Sequence, residues 1–304
     1  MLSNLRLAFR QLAHALDFTL VTALFIAVTC TAFSSEPLTP RDQAINFFQA
    51  NKLPEAQAAF EKLATAEPAN SELAYYLGQI AFRRGDVETS VSWLEKTVTL
   101  NSGESSYYKA LGDAYGLAAQ KAGIFSKAGF AKKGFASLDR AVALDPNNLD
   151  ARESRVNFYR NAPSFVGGGM NKAYAEAAEI QKRNPLRGAG ILGELYLAEK
   201  KYAEAFILLA ETFAKNPDEK ALLYQLGRLA ALSGQQLDRG EAALKKYLQH
   251  TPLPNEPTLH NAHWRLGTLY EKKGDKTAAR AEYEAALQLQ PDFGQARDAL
   301  KELK

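Results

Sequence analysis

The chain has 304 residues, with 37 Lys plus Arg against 34 Asp plus Glu, a formal charge of +3. That balance excludes a general binder of phosphate backbones, which needs a strong basic patch, and 46% hydrophobic with 23% charged residues excludes wholesale disorder. One cysteine, Cys30, excludes an intrachain disulfide and a cysteine-based zinc site.

Arg6 and Arg10 precede an uncharged run from Phe18 to Phe33, and Ala32-Phe33-Ser34 supplies a small-x-small pattern. A basic start, a short apolar core and small residues after it predict a secretory signal over 1–34, cleaved after Ser34. An uncleaved membrane anchor is the alternative, although the run of 16 residues falls short of the roughly 20 that span a bilayer. Ala27-Val28-Thr29-Cys30 fits a lipoprotein site poorly, because Thr precedes the cysteine. A cytosolic chain with an apolar first helix is the blander alternative. Residues 35–40 read as a linker, since Pro37 and Pro40 block helix. Cleavage leaves a mature chain without cysteine, which suits an oxidising compartment. The expected location is periplasmic or secreted, or the inner membrane if the segment is retained.

From Arg41 onward no strand pattern occurs; apolar residues recur at helical spacing, broken by turns such as Arg84-Gly85-Asp86 and Lys273-Gly274-Asp275. Phe47, Ala56, Phe60 and Pro68 form a first unit. Leu77-Gly78 opens a second, with Ala81, Gly85, Ser90 and Leu94. Leu111-Gly112 and Tyr115 open a third, which closes after an extension with Leu138, Ala141 and Pro146. Tyr159, Ala173, Ala177 and Pro185 form a fourth. Leu192-Gly193 leads to Tyr196, Ala205, Leu209 and Pro217; Leu226-Gly227 leads to Ala230, Gly234, Leu244 and Pro252. The clearest unit is the last: Trp264, Leu266-Gly267, Tyr270, Gly274-Asp275, Ala279, Tyr283, Ala286 and Pro291. Units end at Pro68, Ser102, Pro146, Pro185, Pro217, Pro252 and Pro291, at gaps of 34, 44, 39, 32, 35 and 39 residues.

This pattern resembles the tetratricopeptide repeat, in which Leu-Gly-x-x-Tyr, Ala-x-x-x-Phe and a closing Pro recur over about 34 residues. The resemblance covers residues 41–304 and implies an all-α, right-handed solenoid of about seven helix pairs. Each pair is too small to bury its apolar face alone, so neighbours supply the core. Phe293, Ala296, Leu300 and Leu303, set against Arg297, Asp298, Lys301 and Lys304, predict a one-sided capping helix.

Two units depart from the period. The third carries ten extra residues, from Gly116 to about Phe125, predicted to lengthen both of its helices into a protruding arm. Lys121, Lys127, Lys132 and Lys133 meet no acid before Asp139, and Phe125 and Phe130 lie off the apolar stripe. The 121–135 arm is therefore expected either to be a solvated hairpin face or to touch a membrane surface or an acidic partner. The fourth unit has a longer inner turn, Ala162 to Lys172, with Gly167-Gly168-Gly169. It lacks the Gly-Lys-Ser/Thr of a phosphate loop and reads as a structural turn, with Asn171 as N-cap of a helix from Lys172. The combination is similar to a variant found in exported bacterial tetratricopeptide proteins.

Motifs for catalysis are absent: no Gly-x-Ser-x-Gly, no His-Glu-x-x-His and no dinucleotide fingerprint. His260 and His263 stand three apart on a helix, a spacing that can hold a metal, but only Glu256 in a turn stands near enough to join them. His14 falls in the targeting segment and His250 near a repeat end. Glu153, Glu176, Glu179, Glu194 and Glu199 fall at solvent-facing spacing and read as solvated. The expectation is therefore no catalytic, cofactor or metal site and no nucleic-acid partner. An enzyme site near Gly167–Gly169 is the least favoured alternative.

In this repeat family the first helix of each pair lines a concave wall. The wall positions are Tyr75, Gln79 and Phe82, then Lys109 and Asp113, then Glu153, Asn157 and Arg160, then Glu194, then Tyr224 and Arg228, then Trp264, Thr268 and Glu271. Aromatic and charged residues in one stripe suit an extended peptide or a partner helix. The bland alternative packs Tyr75, Tyr224 and Trp264 between repeats. Lys109 with Asp113 does not match the chaperone-tail clamp of some relatives. The expected function is an exported, non-catalytic scaffold that binds a protein in the groove. The alternative is a subunit of an envelope machine for polysaccharide or outer-membrane protein.

Overall fold

The computed structural model describes residues 38–254 and 256–303; the signal or anchor expected over 1–34 lies outside the described residues. Seven helix pairs follow in chain order: α1 (Pro40–Gln49) with α2 (Leu53–Ala66), α3 (Ser71–Arg84) with α4 (Val87–Leu100), α5 (Ser105–Lys121) with α6 (Ile124–Leu144), and α7 (Leu149–Asn161) with α8 (Met170–Arg183). Then come α9 (Pro185–Ala198) with α10 (Tyr202–Lys215), α11 (Ala221–Ser233) with α12 (Leu237–Tyr247), and α13 (Leu259–Lys273) with α14 (Lys276–Leu289). The fifteenth helix, α15 (Gly294–Glu302), covers the last pair, with Ala296 and Leu303 buried against Ala279, Tyr283 and Ala286.

Local chemistry sets these boundaries. Asn70, Asp86, Asn148, Asn184 and Asp275 each accept a hydrogen bond from a backbone N–H of the first turn they precede, which satisfies donors a helix leaves open. Gly85, Gly234 and Gly274 end first helices in the left-handed conformation, cheap only for glycine. Helix α8 begins at Met170 with Gly169 as N-cap and no side-chain cap, so Asn171 lies inside the helix rather than capping it. Pro40 opens α1 instead of blocking helix, with Thr39 as N-cap, because proline's missing N–H is no loss in a first turn.

The leucine of each Leu-Gly dipeptide is buried. The adjoining glycine faces a large side chain of the second helix: a Cβ there would lie 2.6 Å from Leu94 at Gly78, 2.7 Å from Leu138 at Gly112, 2.2 Å from Leu244 at Gly227 and 2.5 Å from Tyr283 at Gly267. Gly193 differs, since its Cβ would clear Leu209 by 3.6 Å, and a void of about 20 Å³ lies beside it, lined by Gly190, Leu209 and Leu229. Helix α9 accordingly packs more closely on the preceding α8 than on its own partner α10.

First helices of neighbouring pairs also touch, α3 on α5, α5 on α7 and α11 on α13, and no two second helices pack as closely among the described residues. That places the first helices on the inner side of the curve. The extra residues of the third unit make α5 17 residues and α6 21 residues long.

Candidate functional site

The two departures from the period converge on one place. The long α5 and α6 form one side of a cleft of about 540 Å³, and α7 with the turn after it forms the other. The turn is a short 3-10 helix, Ser164–Val166, pinned by the buried Val166 and packed against α6. Three glycines follow. Gly167 and Gly169 have φ of +101° and +146°, and a Cβ on Gly168 would lie 1.8 Å from the carbonyl oxygen of Ala162. The amide groups of Gly167, Gly168 and Gly169 donate to Ser164, Pro163 and Tyr159 carbonyls, and Lys172 Nζ donates to the Gly167 carbonyl at 2.9 Å. These N–H groups are consumed within the chain, so the turn is no anion cradle; the residues before the glycines, Ala162, Pro163, Phe165 and Val166, line the cleft.

The floor of the cleft is nearly bare backbone: Gly112, Gly116 and Ala119 of α5 face Ala128, Ala131 and Gly134 of α6. Gly112 and Gly134 bring the two helices together, each so near that a Cβ would approach the other's carbonyl oxygen at 3.1–3.2 Å. Gly116 needs no such closeness, because nothing lies within 4 Å of where its Cβ would be. Phe82, Leu117, Phe158 and Phe165 add apolar surface, and Phe165 is exposed at the rim. Ser154, Asn157 and Asn161 form a polar stripe along α7, and Gln120 stands across from them. None of these four side chains has a hydrogen-bond partner among the described residues. Asp113 is paired with Lys109 at 2.7 Å, whereas Lys127, also lining the cleft, meets no acid among the described residues.

Of the wall residues expected from the sequence, Phe82, Asp113 and Asn157 are the ones brought together here. The others are distributed along the stack. Glu153 accepts from Arg187 at 2.6 Å, with Asp150 on the same guanidinium. Glu194 pairs with Arg228. Both pairs join neighbouring first helices, so the wall charges largely neutralise one another. Tyr75 is half-buried against Tyr107, with ring centroids 5.1 Å apart, and burial pushes its phenol up. Trp264 meets Phe293 edge-on at 5.7 Å, under the guanidinium of Arg265. Thr268 donates to the Trp264 carbonyl, and Glu271 accepts from the Tyr283 hydroxyl at 2.7 Å. Gln79 is half-buried and Arg160 exposed on the same row of helices.

Three expectations are corrected. Tyr224 is only 7% exposed, packed on Tyr247 in the core of the sixth unit, so it is core rather than contact surface. Glu176 is buried rather than solvated, held by Arg152 at 2.6 Å and Arg155 at 3.4 Å. Arg155 also approaches Asp139 at 3.4 Å, and burial pushes the Asp139 carboxyl up. The arm is less free than its sequence suggests: Lys133 lies 3.8 Å from Glu95, Lys121 donates to the Gly85 carbonyl, and Phe130 packs on Tyr115. Phe125 alone of its aromatics is fully exposed.

The three described histidines have separate partners: His250 meets Glu256 and His263 meets Glu282, each at 2.7 Å, and His260 meets Thr258. No group of three metal-ligating side chains occurs among the described residues. No helix among them is long and apolar enough to cross a membrane.

Tetratricopeptide repeat models match the sequence over residues 41–105 and 260–293. No curated protein matches it. Among solved structures, a tetratricopeptide repeat protein from Parabacteroides merdae is similar, with TM-score 0.59 and 16% identity, over 87% of this chain and 97% of its own. A thermophilic tetratricopeptide repeat protein of Thermus thermophilus gives TM-score 0.50 and 19% identity over 60% of this chain and 93% of its own. Human IFIT1, solved as a dimer with PPP-AAAA, gives TM-score 0.58 and 18% identity over 96% and 70%. At these identities the likeness concerns the fold alone.

Proposed function

We propose that this tetratricopeptide repeat chain is an exported, non-catalytic scaffold that holds a segment of a protein partner on the wall of its first helices, centred on the cleft between α5, α6 and α7. One observation carries the reading. A 540 Å³ cleft with an apolar floor is lined by polar side chains that the fold leaves without partners. Buried surface with a few convergent polar groups is how proteins hold ligands. Elsewhere on the wall Arg187 and Arg228 are already matched by carboxylates, which makes it a poor host for a phosphate chain. Export rests on the Arg6 to Ser34 pattern.

Site-specific photocrosslinking in intact cells tests this. A crosslinking residue at Asn157, in the cleft, is expected to give a discrete adduct; one at Glu284, exposed on a second helix, is expected to give none. Adducts from Glu284 alone would move the partner to the outer face. A reporter fused after Pro40 is expected to be active only outside the cytoplasm, and activity inside would remove export from the reading. The fully exposed Phe125, with Lys127 and Lys132 nearby on the arm, favours a second reading: attachment to an envelope assembly through the arm tip. Adducts from position 125 but not 157 would select it.

A further inference from the structure

We infer that the cleft is a specificity pocket for a bulky apolar side chain of an extended peptide that carries an acidic residue beside it. This rests on the scaffold reading above and names the chemistry of the partner. The floor decides the apolar part. Gly112, Gly116, Ala119, Ala128 and Ala131 offer nothing larger than a methyl group, so no polar atom of a ligand finds a partner there, and a buried polar group without one is costly.

The α7 stripe decides the extended backbone. Ser154, Asn157 and Asn161 are three and four residues apart, one face of the helix, and seven residues rise about 10 Å. An extended peptide turns a main-chain donor and acceptor toward one edge at every second residue, about every 6.6 Å. Asparagine carries both kinds of group, so the stripe and Gln120 can bond a main chain lying along it. A fatty acyl chain or another featureless apolar ligand would cover these four groups and leave them unbonded. A helix would present no free main-chain groups to them, because its own ladder uses its N–H and C=O groups.

Charge decides the acidic neighbour. Lys109 neutralises Asp113, Lys121 is held by the Gly85 carbonyl, and Lys127 has no acid within the described residues. The cleft therefore carries one uncompensated positive charge, and an aspartate or glutamate of the peptide would complete it. Phe165, exposed at the rim, is placed to lie over the bound side chain.

A phage-displayed library of random dodecapeptides, panned on the full chain, provides the probe. Peptides enriched on the wild type are expected to share a Trp, Phe or Leu with an Asp or Glu within a few residues. Their affinity, read by fluorescence anisotropy, is expected to fall about tenfold or more in Gly116→Leu, which fills the floor, and in Lys127→Glu. Lys62→Glu, an exposed charge reversal on α2, is the control and is expected to leave affinity within about twofold. Circular dichroism checks the fold; Gly116 has open space around it, so the variant has room to form. Enriched peptides that bind both cleft variants like the wild type would overturn the inference and leave the scaffold reading standing on its crosslinks. Sensitivity to Gly116→Leu without any acidic preference would overturn the charge argument. Failure to enrich peptides, with a dansyl-tagged fatty acid bound by the wild type and lost in Gly116→Leu, would make the cleft an amphiphile site and overturn the peptide.

Discussion

Gly112 and Gly116 stand one helical turn apart on α5, and replacing each by alanine should move stability in opposite directions. In a helix interior, alanine is favoured over glycine by about 1 kcal/mol. At Gly116 nothing lies within 4 Å of the added Cβ, so the whole gain is realised and Gly116→Ala should stabilise by about 1 kcal/mol. At Gly112 the Cβ would lie 2.7 Å from both Cγ and Cδ2 of Leu138 and 3.2 Å from the Gly134 carbonyl oxygen. Leu138 is itself buried in the core, so relief requires α5 and α6 to separate. Overpacking of this kind costs about 1–3 kcal/mol, and after the propensity gain a net loss of up to about 2 kcal/mol is expected. Urea denaturation followed by far-ultraviolet circular dichroism reads both, with the denaturant dependence checked for a single transition. A lower midpoint for Gly116→Ala, or a higher one for Gly112→Ala, would refute the reasoning. A chain that leaves an easy stabilisation unused at Gly116 keeps that floor open at some cost to the fold.

Leu266→Ala should cost about 2–4 kcal/mol, because Leu266 is 1% exposed between the last two pairs; an unchanged midpoint would mean the register of the repeats is wrong. Glu176→Ala should cost about 3 kcal/mol or more, since it leaves Arg152 and Arg155 without their shared carboxylate; a loss near that of an exposed glutamate would refute the burial argument. Hydrogen bonds from Lys245 and Lys273 hold the Glu241 carboxyl at about 2, below its ordinary 4.5. The stability this lends is present above the ordinary value and is lost as pH falls through about 2. Glu241→Gln should therefore lie below the wild type by on the order of 1 kcal/mol at neutral pH, solvent screening holding the gap to that size. Thermal denaturation across the acid range should show the two converging, and a gap that persists or grows in acid would count against the pairing.

The repeats were legible because their register is written in residues with one structural use. Second helices end two residues before Pro68, Pro146, Pro185, Pro217 and Pro291, and each Leu-Gly supplies a buried leucine beside a close contact. Less was legible where a residue's surroundings come from another unit. Tyr224 shares its wall position with Tyr75 and Trp264, and the core tyrosine Tyr247 decides that it packs inward. Glu176 looks solvated by spacing alone, and two arginines one turn apart on α7 show otherwise. The cleft is a third case. Small residues at Gly112, Gly116 and Ala119, and polar ones at Ser154, Asn157 and Asn161, each form a helical stripe in the sequence. Only the third unit's extra length and the fourth unit's longer turn set them opposite each other.

Helix α9 gives the stack a tear line. It carries Gly190 and Gly193 where alanine would fit, which cost together roughly 1–2 kcal/mol relative to alanines. The turn behind it puts Lys200 in the left-handed conformation at φ +58°, a strain that Gly85 and Gly274 avoid in their own units. Its facing side chain, Leu209, stands clear of Gly193 where its counterparts are in tight contact. In a linear array each unit is held only by its neighbours, so the weakest junction decides how the whole comes apart. Of the seven pairs, this one should open first when the chain is pulled from its ends, between α9 and α10. The arm, the glycine turn and their cleft would stay together in one piece, and the Arg228 and Trp264 units in the other. Units in series carry the same tension, so that opening would relieve the load on a partner held in the cleft.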